Sequence, residues 1–191
     1  MHSTASPRAE TRQNRGPAAA ADNRRALIAA AREVYAEGGL AAPFSAVAKR
    51  AGVGQGSLYR HFPDRTALAV AVFEDNVRDL EEYTAAPDRT IEDLLDRVVD
   101  QAVVSTAFIQ LVTADLTDPR VAVLGERFYG VVELLVARDH AAGRIGDHVE
   151  IEDVTMATGM LATELARTDA AARPAASARA RRLFRAAFAP R

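Results

Sequence analysis

Three glycines precede an aromatic and cationic segment in the stretch GVGQGSLYRHF, residues 52–62. Two chemistries fit this spacing: a glycine-rich loop that cradles the phosphates of a nucleotide, or a tight turn that leads into an exposed helix. The dinucleotide-binding fingerprint needs a β-strand before the loop. No alternating strand pattern precedes Gly52, so the sequence favours the turn and the exposed helix.

Composition restricts the class of protein and the kind of partner. The chain has 191 residues and no cysteine, which excludes disulfides, thiolate metal sites and cysteine nucleophiles. No apolar run approaches the roughly 20 residues of a membrane-spanning helix, and we expect a cytoplasmic protein with no membrane partner. Residues 1–66 hold ten Lys or Arg against five Asp or Glu, whereas residues 67–191 hold fourteen against twenty-one. Only the front third is suited to attract a polyanion.

Hydrophobic periodicity is helical nearly throughout, which predicts an all-α fold of about nine helices. Residues 1–21 are small, polar and proline-bearing, and we expect a disordered arm. A first helix is predicted from a cap at Asp22 or Asn23 to Gly38, and a second from Pro43, as its first residue, to Gly52. A third covers residues 57–62, and Asp64 caps a long fourth helix.

The later helices are marked by their caps. Thr90 and Asp93 resemble a capping box, and Asp118 with Pro119 predicts another helix start. Two further helices follow, and the region after residue 90 fits either one bent helix or two helices.

The two short helices and the turn between them fit a helix-turn-helix, in which the second helix enters the major groove of DNA. Small Ala48 permits a close crossing and Leu58 can fill the apolar seam. Gly52 suits a positive φ, Gly54 lies at the N-cap of the next helix, and Gly56 keeps the first turn thin enough for its backbone to approach DNA. The exposed side chains of the second helix all form hydrogen bonds: Gln55, Ser57, Tyr59, Arg60 and His61. Gln suits adenine, and hydroxyls and imidazole suit phosphate; a merely solvated polar helix is the alternative.

The segment FSAVAKRAGVGQGSLYRHFPDRTAL, residues 44–68, strongly resembles the DNA-binding signature of the tetracycline-repressor (TetR) family of bacterial regulators. The resemblance implies a helix-turn-helix DNA-binding domain over residues 22–66 and a helical ligand-binding and dimerisation domain over residues 67–191. It implies a sequence-specific transcriptional regulator, a ligand-responsive repressor that binds a palindromic double-stranded operator as a homodimer.

The resemblance also implies individual roles in DNA binding. Gln55 and Ser57 match positions that face bases or neighbouring phosphates, and Tyr59 and His61 match a phosphate-contacting pair. Arg65 matches a basic residue that meets phosphate at the start of the fourth helix. Ser45 and Lys49, on the preceding helix, are candidates for contacts with the DNA backbone. At the start of that helix, Pro43 and Phe44 replace a segment that is often rich in threonine.

The predicted arm contains three arginines, Arg8, Arg12 and Arg15. They fit either a contact with the minor groove or a solubilising tail.

The resemblance further places a cavity for an unknown small-molecule effector and a dimer interface in the second domain. Apolar walls with interspersed polar groups suit a ligand, and the candidates are Phe73, Gln101, Ser105, Phe108 and Phe128. Apolar stripes on the last two helices suit a four-helix dimer interface or the core of one chain, and the residues are Val154, Ala157, Met160, Leu161, Leu165, Leu183, Phe184 and Ala187.

Two other classes of protein compete with this interpretation. His140 and His148, near Asp139, Asp147 and Glu150, suggest a metal-dependent enzyme. No third imidazole or cysteine completes a recognisable ligand set, so we expect no metal, no cofactor and no catalysis. A helical interaction protein that does not bind DNA is the other alternative, and it predicts that Tyr59 and His61 are dispensable.

Overall fold

The computed structural model describes residues 17–100, 107, 110–111 and 118–191. Every regular element in these ranges is a helix, and no strand occurs among them. The helices are α1 (Pro17–Gly38), α2 (Phe44–Ala51), α3 (Gln55–His61), α4 (Arg65–Thr84), α5 (Ile91–Asp100), α6 (Pro119–Ala141), α7 (Ile151–Arg167) and α8 (Arg173–Phe188). The predicted all-α class is confirmed, and these eight helices are close to the nine expected.

Three predicted helix starts are wrong by a few residues. α1 begins at Pro17 rather than at Asp22 or Asn23, because proline suits a first helical position and the alanines that follow are the strongest helix formers. Residues 17–21 therefore belong to α1, and the rest of the predicted arm lies outside the described residues. Pro43 is the N-cap of α2, not its first residue, and α3 begins at Gln55 instead of Ser57.

The other predicted caps are confirmed. The Asp64 carboxylate accepts a hydrogen bond from the Ala67 amide at 2.6 Å, and Asp118 accepts one from the Arg120 amide at 2.9 Å. Thr90 and Asp93 form a reciprocal box before α5. Each cap satisfies an amide that has no partner inside its own helix.

One hydrophobic cluster joins the first four helices to the start of α6. Leu27 of α1, Val47 of α2 and Leu58 of α3 are fully buried against Leu68 and Val72 of α4. Val121 and Leu124 of α6 belong to the same cluster. Packing is thus continuous across residue 66, where the two predicted domains meet, and that boundary stays a prediction.

A second hydrophobic cluster is formed by α5, α6 and α7, with α8 packed against it. Leu94, Leu135 and Leu161 are almost fully buried there, and the rings of Phe184 and Phe188 cover its edge. None of the described helices is long and apolar enough to cross a membrane.

Two adjacent residues of α6 hold the turn between α4 and α5. Arg138 Nη1 donates to the carbonyls of Thr84, at 2.7 Å, and Ala86, at 2.9 Å, at the end of α4. Asp139, which is 3% exposed, accepts from the Ile91 amide at 3.0 Å, at the start of α5. A cation at a helix C-terminus and an anion at an N-terminus both complement the helix dipole. α6 therefore holds the C-terminal end of α4, the helix whose N-terminal end follows α3.

Candidate nucleic-acid interface

The turn between α2 and α3 depends on two glycines. Gly52 has φ 65° and ψ 24°, the left-handed conformation that residues with a Cβ rarely adopt. Its neighbour Val53 donates its amide to the Ala48 carbonyl at 3.0 Å, which closes the end of α2. Gly54 is the N-cap of α3, and its carbonyl accepts from the amides of Ser57 and Leu58. These roles confirm the prediction made for both glycines.

α3 is fixed by its apolar side and exposed on the other. Leu58 is fully buried among the core residues of the head. Gln55, Tyr59 and Arg60 are exposed, whereas Ser57 and His61 are half-buried. A Cβ placed on Gly56 meets no atom within 4 Å, so nothing in the described residues covers this turn. The arrangement presents hydrogen-bonding side chains on a helix of two turns, as recognition of a DNA groove requires.

The exposed face of α2 contributes Ser45 and Lys49, both open to solvent. Their neighbour Arg50 is neutralised by two carboxylates of α1: it forms ion pairs with Glu33 at 2.9 Å and with Glu37 at 2.7 Å. Hydrogen bonds from Arg50 hold the pKa of the Glu37 carboxyl below its ordinary value. Lys49 has no carboxylate partner among the described residues, so its charge stays available to a polyanion.

Arg65 begins α4 beside this surface, but one of its donors is already used. Its Nη1 donates to the Leu40 carbonyl at 2.5 Å and ties the α1–α2 loop to α4. Asp64, just before it, also pairs with Arg120 of α6 at 3.1 Å. Arg120 in turn donates to Asp118 and lowers the pKa of that carboxyl to about 2. This ionic chain links the start of α6 to the turn that follows α3.

One contributor to the surface is absent from the sequence prediction. The half-buried ring of Phe44 meets the ring of Tyr59 edge-on, with centroids 5.3 Å apart and an angle of 72°. This is a preferred geometry of aromatic pairs. Periodicity within one helix carries no signal for a contact between two helices, although two aromatic residues on either side of a short turn were a hint.

The predicted ligand residues are not brought together in the described part of the chain. Phe73 is 1% exposed in the first cluster, and Phe128 is half-buried against the second. Gln101, Ser105 and Phe108 lie outside the described residues. A groove of about 380 Å³ runs between α4 and α6, and the residues that line it were not predicted: Val70, Glu74, Pro119, Arg120, Val123, Leu124 and Arg127. The effector-binding roles stay predictions.

The predicted dimer residues divide into two groups. Val154, Ala157, Leu161 and Leu165 are at most 4% exposed and face the interior of their own chain, which corrects their assignment to a surface between copies. The most apolar stripe of α7 packs on α5 and α6. Burial of this stripe removes the largest apolar area of the helix from water and so stabilises the fold of the single chain.

The remaining predicted dimer residues lie at or near the surface. Met160 and Leu183 are 58% and 64% exposed, Ala187 is exposed, and Phe184 is half-buried. Met156, one turn before Met160, is 63% exposed and was missed.

Four of the five residues of the rival metal site have structural partners. Asp139 pairs with Arg144 at 2.7 Å as well as capping α5, and Nε2 of His140 lies 3.1 Å from the Gly146 carbonyl oxygen. Nε2 of His148 lies 3.0 Å from the Ala187 carbonyl oxygen, and Glu150 caps α7. No cluster of three or more His, Cys, Asp or Glu suited to a metal ion occurs in the part of the chain that the structure describes.

Comparisons with known proteins agree with this geometry. Residues 27–72 match the family model of bacterial regulatory proteins, tetR family. A TetR transcriptional regulator of Streptomyces coelicolor is similar in structure with a TM-score of 0.61 and 26% identity, over 87% of this chain and 98% of that one. A TetR regulatory protein of Mycobacterium vanbaalenii is 29% identical with a TM-score of 0.53, over 78% of this chain and 93% of that one.

A more distant neighbour shares the fold alone. The regulator FadR of Bacillus subtilis, solved in complex with stearoyl-CoA, is 17% identical with a TM-score of 0.55, over 82% of this chain and 96% of that one. No curated protein matches the sequence significantly. Over residues 27–72 the chain thus matches the tetR family of bacterial regulatory proteins, and over most of its length it is similar in fold to TetR-family transcriptional regulators.

Proposed function

We propose that this protein is a TetR-family transcriptional regulator, a ligand-responsive repressor that binds a palindromic operator as a homodimer. The proposal rests above all on α3, where buried Leu58 holds the helix while Gln55 and Tyr59 face solvent. In a twofold-symmetric dimer, two such helices reach half-sites about one helical turn, roughly 34 Å, apart.

Each residue of the surface has a proposed task. Gln55 reads a base edge, and Ser57 contacts a base or a neighbouring phosphate. Tyr59 and His61 donate to phosphate oxygens. A second group, made of Ser45, Lys49, Gly56, Arg60 and Arg65, meets the DNA backbone through side-chain donors or close main-chain approach.

The proposed ligand response runs through α4. Arg127 of α6 pairs with Glu81 of α4 at 2.6 Å, and Arg138 holds the end of α4. A ligand that moves α6 therefore moves α4, and α4 begins beside the recognition surface. A changed distance between the two heads of a dimer lowers operator affinity while every DNA-binding side chain stays in place. The complex of FadR with stearoyl-CoA makes acyl-CoA esters the first class of effector to test.

The first experiment selects bound duplexes from a random-sequence pool at two salt concentrations and sequences them. Recovery of one palindromic site supports the proposal and supplies the operator. Tyr59→Ala and His61→Ala are then expected to lower affinity for that site about tenfold or more each, because each removes a phosphate contact. Arg25→Ala is the matched control, since Arg25 lies in the same head but pairs with Asp22. Unchanged affinity in both test variants would refute the recognition surface.

Two measurements separate the remaining parts of the proposal. Release of a fluorescent operator duplex by acyl-CoA esters tests the ligand response directly. A reporter gene placed behind the operator tests the sign of regulation: repression predicts higher expression when the regulator gene is deleted, and lower expression would identify an activator.

A further inference from the structure

Arg24 lies on α1, outside the helix-turn-helix, but its guanidinium reaches the end of α3. Its Cζ atom lies over the ring of Phe62 at 5.4 Å from the centroid. Phe62 is 2% exposed and is the C-cap of α3. The ring of His61 lies 6.4 Å from the same Phe62 ring. Arg24 and His61 thus share one buried aromatic neighbour at the junction of α3 and α4.

The other arginines of α1 are neutralised by carboxylates. Arg25 pairs with Asp22, and Arg32 pairs with Asp75 at 3.0 Å. Arg24 is exposed and has no carboxylate partner among the described residues. A face-on contact with an aromatic ring holds a guanidinium in place and leaves the N–H donors at its edge free. The structure therefore keeps one positive group oriented and uncompensated beside the recognition helix.

We propose that Arg24 binds a phosphate of the operator backbone and extends the DNA interface from the helix-turn-helix onto α1. A phosphate accepts two parallel hydrogen bonds from the edge of a guanidinium, which gives position as well as charge. The ring of Phe62 orients Arg24, and His61, the adjacent residue in the chain, lies near the same ring. The inference rests on the proposed function, because it needs α3 to face DNA.

The test compares Arg24→Gln with Arg25→Gln, two adjacent substitutions that remove the same charge. Binding constants for the selected operator, and for unselected random duplex of equal length, are measured across a salt series. Removal of one phosphate-binding cation is expected to reduce the slope of log K against log salt by about 0.9. Arg24→Gln should show this reduction for each bound head, with roughly tenfold weaker binding per head to both DNAs. Arg25→Gln should keep the wild-type slope.

Arg24→Lys serves as the conservative variant and should restore most of the slope, since lysine binds phosphate as a point charge. Thermal unfolding of each variant reports folding separately, and glutamine keeps the helix propensity of α1. A purely structural Arg24 would alter the unfolding temperature and leave the salt slope unchanged.

A wild-type slope for Arg24→Gln, while Tyr59→Ala still loses affinity, would overturn this inference and leave the proposed function standing. Equal slope reductions in Arg24→Gln and Arg25→Gln would also overturn it, because they would reflect general charge. If Tyr59→Ala and His61→Ala both bind like wild type, the proposed function fails, and this inference fails with it.

Discussion

Tyr59 illustrates how one residue depends on a neighbour that its own helix does not contain. The tyrosine ring is 55% exposed, so its own burial does little to orient it. The edge-on contact with Phe44 restricts the ring at its α2 side. Orientation matters because a flexible side chain gives up entropy when it binds, and a prearranged one gives up less.

We expect Phe44→Leu to weaken operator binding threefold to about tenfold, the effect of removing one aromatic pair of about 0.5–1.5 kcal/mol. Phe44→Tyr keeps the edge contact and should bind like wild type. The binding constant is measured in the wild-type and Tyr59→Ala backgrounds. An equal effect of Phe44→Leu in both backgrounds would show that Phe44 does not act through Tyr59.

Replacement of glycine by alanine is expected to change stability in opposite directions at two positions of this chain. Gly52 has φ 65°, and no atom lies within 4 Å of a Cβ placed there, so the cost of a side chain is conformational rather than steric. Gly130, inside α6, also has open space around such a Cβ and has no positive φ. There the same substitution removes backbone entropy from the unfolded chain.

Gly52→Ala should therefore lower the free energy of unfolding by about 1 kcal/mol, and Gly130→Ala should raise it by about 0.5–1 kcal/mol. Urea denaturation with an unchanged slope measures both. Shifts of the same sign for the two variants would contradict the conformational explanation.

At the scale of elements, α8 is attached to α5 by an ionic network as well as by apolar packing. Glu92 of α5 accepts hydrogen bonds from Arg181 at 2.6 Å and from Arg185 at 2.8 Å. Arg181 also pairs with Asp96. Burial opposes ionisation of Glu92, but the hydrogen bonds from Arg185 and Arg181 outweigh it and lower the pKa of its carboxyl.

A carboxyl whose pKa is lower in the folded state stabilises the fold above its ordinary pKa, and the stabilisation is lost as pH falls through the folded value. Glu92→Gln should therefore lower the free energy of unfolding at neutral pH by about 0.5–1 kcal/mol, since the side chain is 37% exposed. The difference from wild type should vanish in acid. Urea denaturation across pH measures this difference, with Glu126→Gln, at an exposed position of α6, as the control. A difference that is constant with pH would exclude ionisation as its cause.

At the scale of the whole molecule, the two hydrophobic clusters are joined by shared helices. α4 buries residues in the head cluster, α6 contributes to both clusters, and Arg120 joins α6 to the cap of α4. This continuity is what a ligand signal needs, because packed helices move as units. The exposed apolar residues Met156, Met160 and Leu183 lie on α7 and α8, far along the chain from the head.

If these residues form the proposed dimer interface, Met160→Glu and Leu183→Glu should each convert the protein from a dimer to a monomer, because a buried unpaired charge is costly. Sedimentation equilibrium gives the mass. Val123→Glu is the control, since Val123 is 56% exposed but lies in the groove between α4 and α6. A dimeric mass for both test variants would place the interface elsewhere.

Local patterns in the sequence were sufficient for the fold class, for several helix caps and for the glycine turn between α2 and α3. Some signals depend only on residues close together in the chain, so the sequence alone reveals them. They are the helical periodicity, the caps at Asp64 and Asp118, and the glycine turn at residue 52. The start of α1 was misjudged because Asp22 resembles a cap, although the preceding alanines continue the helix.

Only the tertiary structure decided which apolar stripe of α7 is core, and which cations of the head are free. In the sequence, Leu161 and Met160 are adjacent apolar residues that fit an interface equally well. In the structure, Leu161 is 1% exposed and Met160 is 58% exposed. Arg24 and Arg25 are equally basic, but Phe62, from a distant part of the chain, contacts one and Asp22 neutralises the other. Burial and pairing depend on the rotation of each helix about its axis and on its partners, which are properties of the packed molecule.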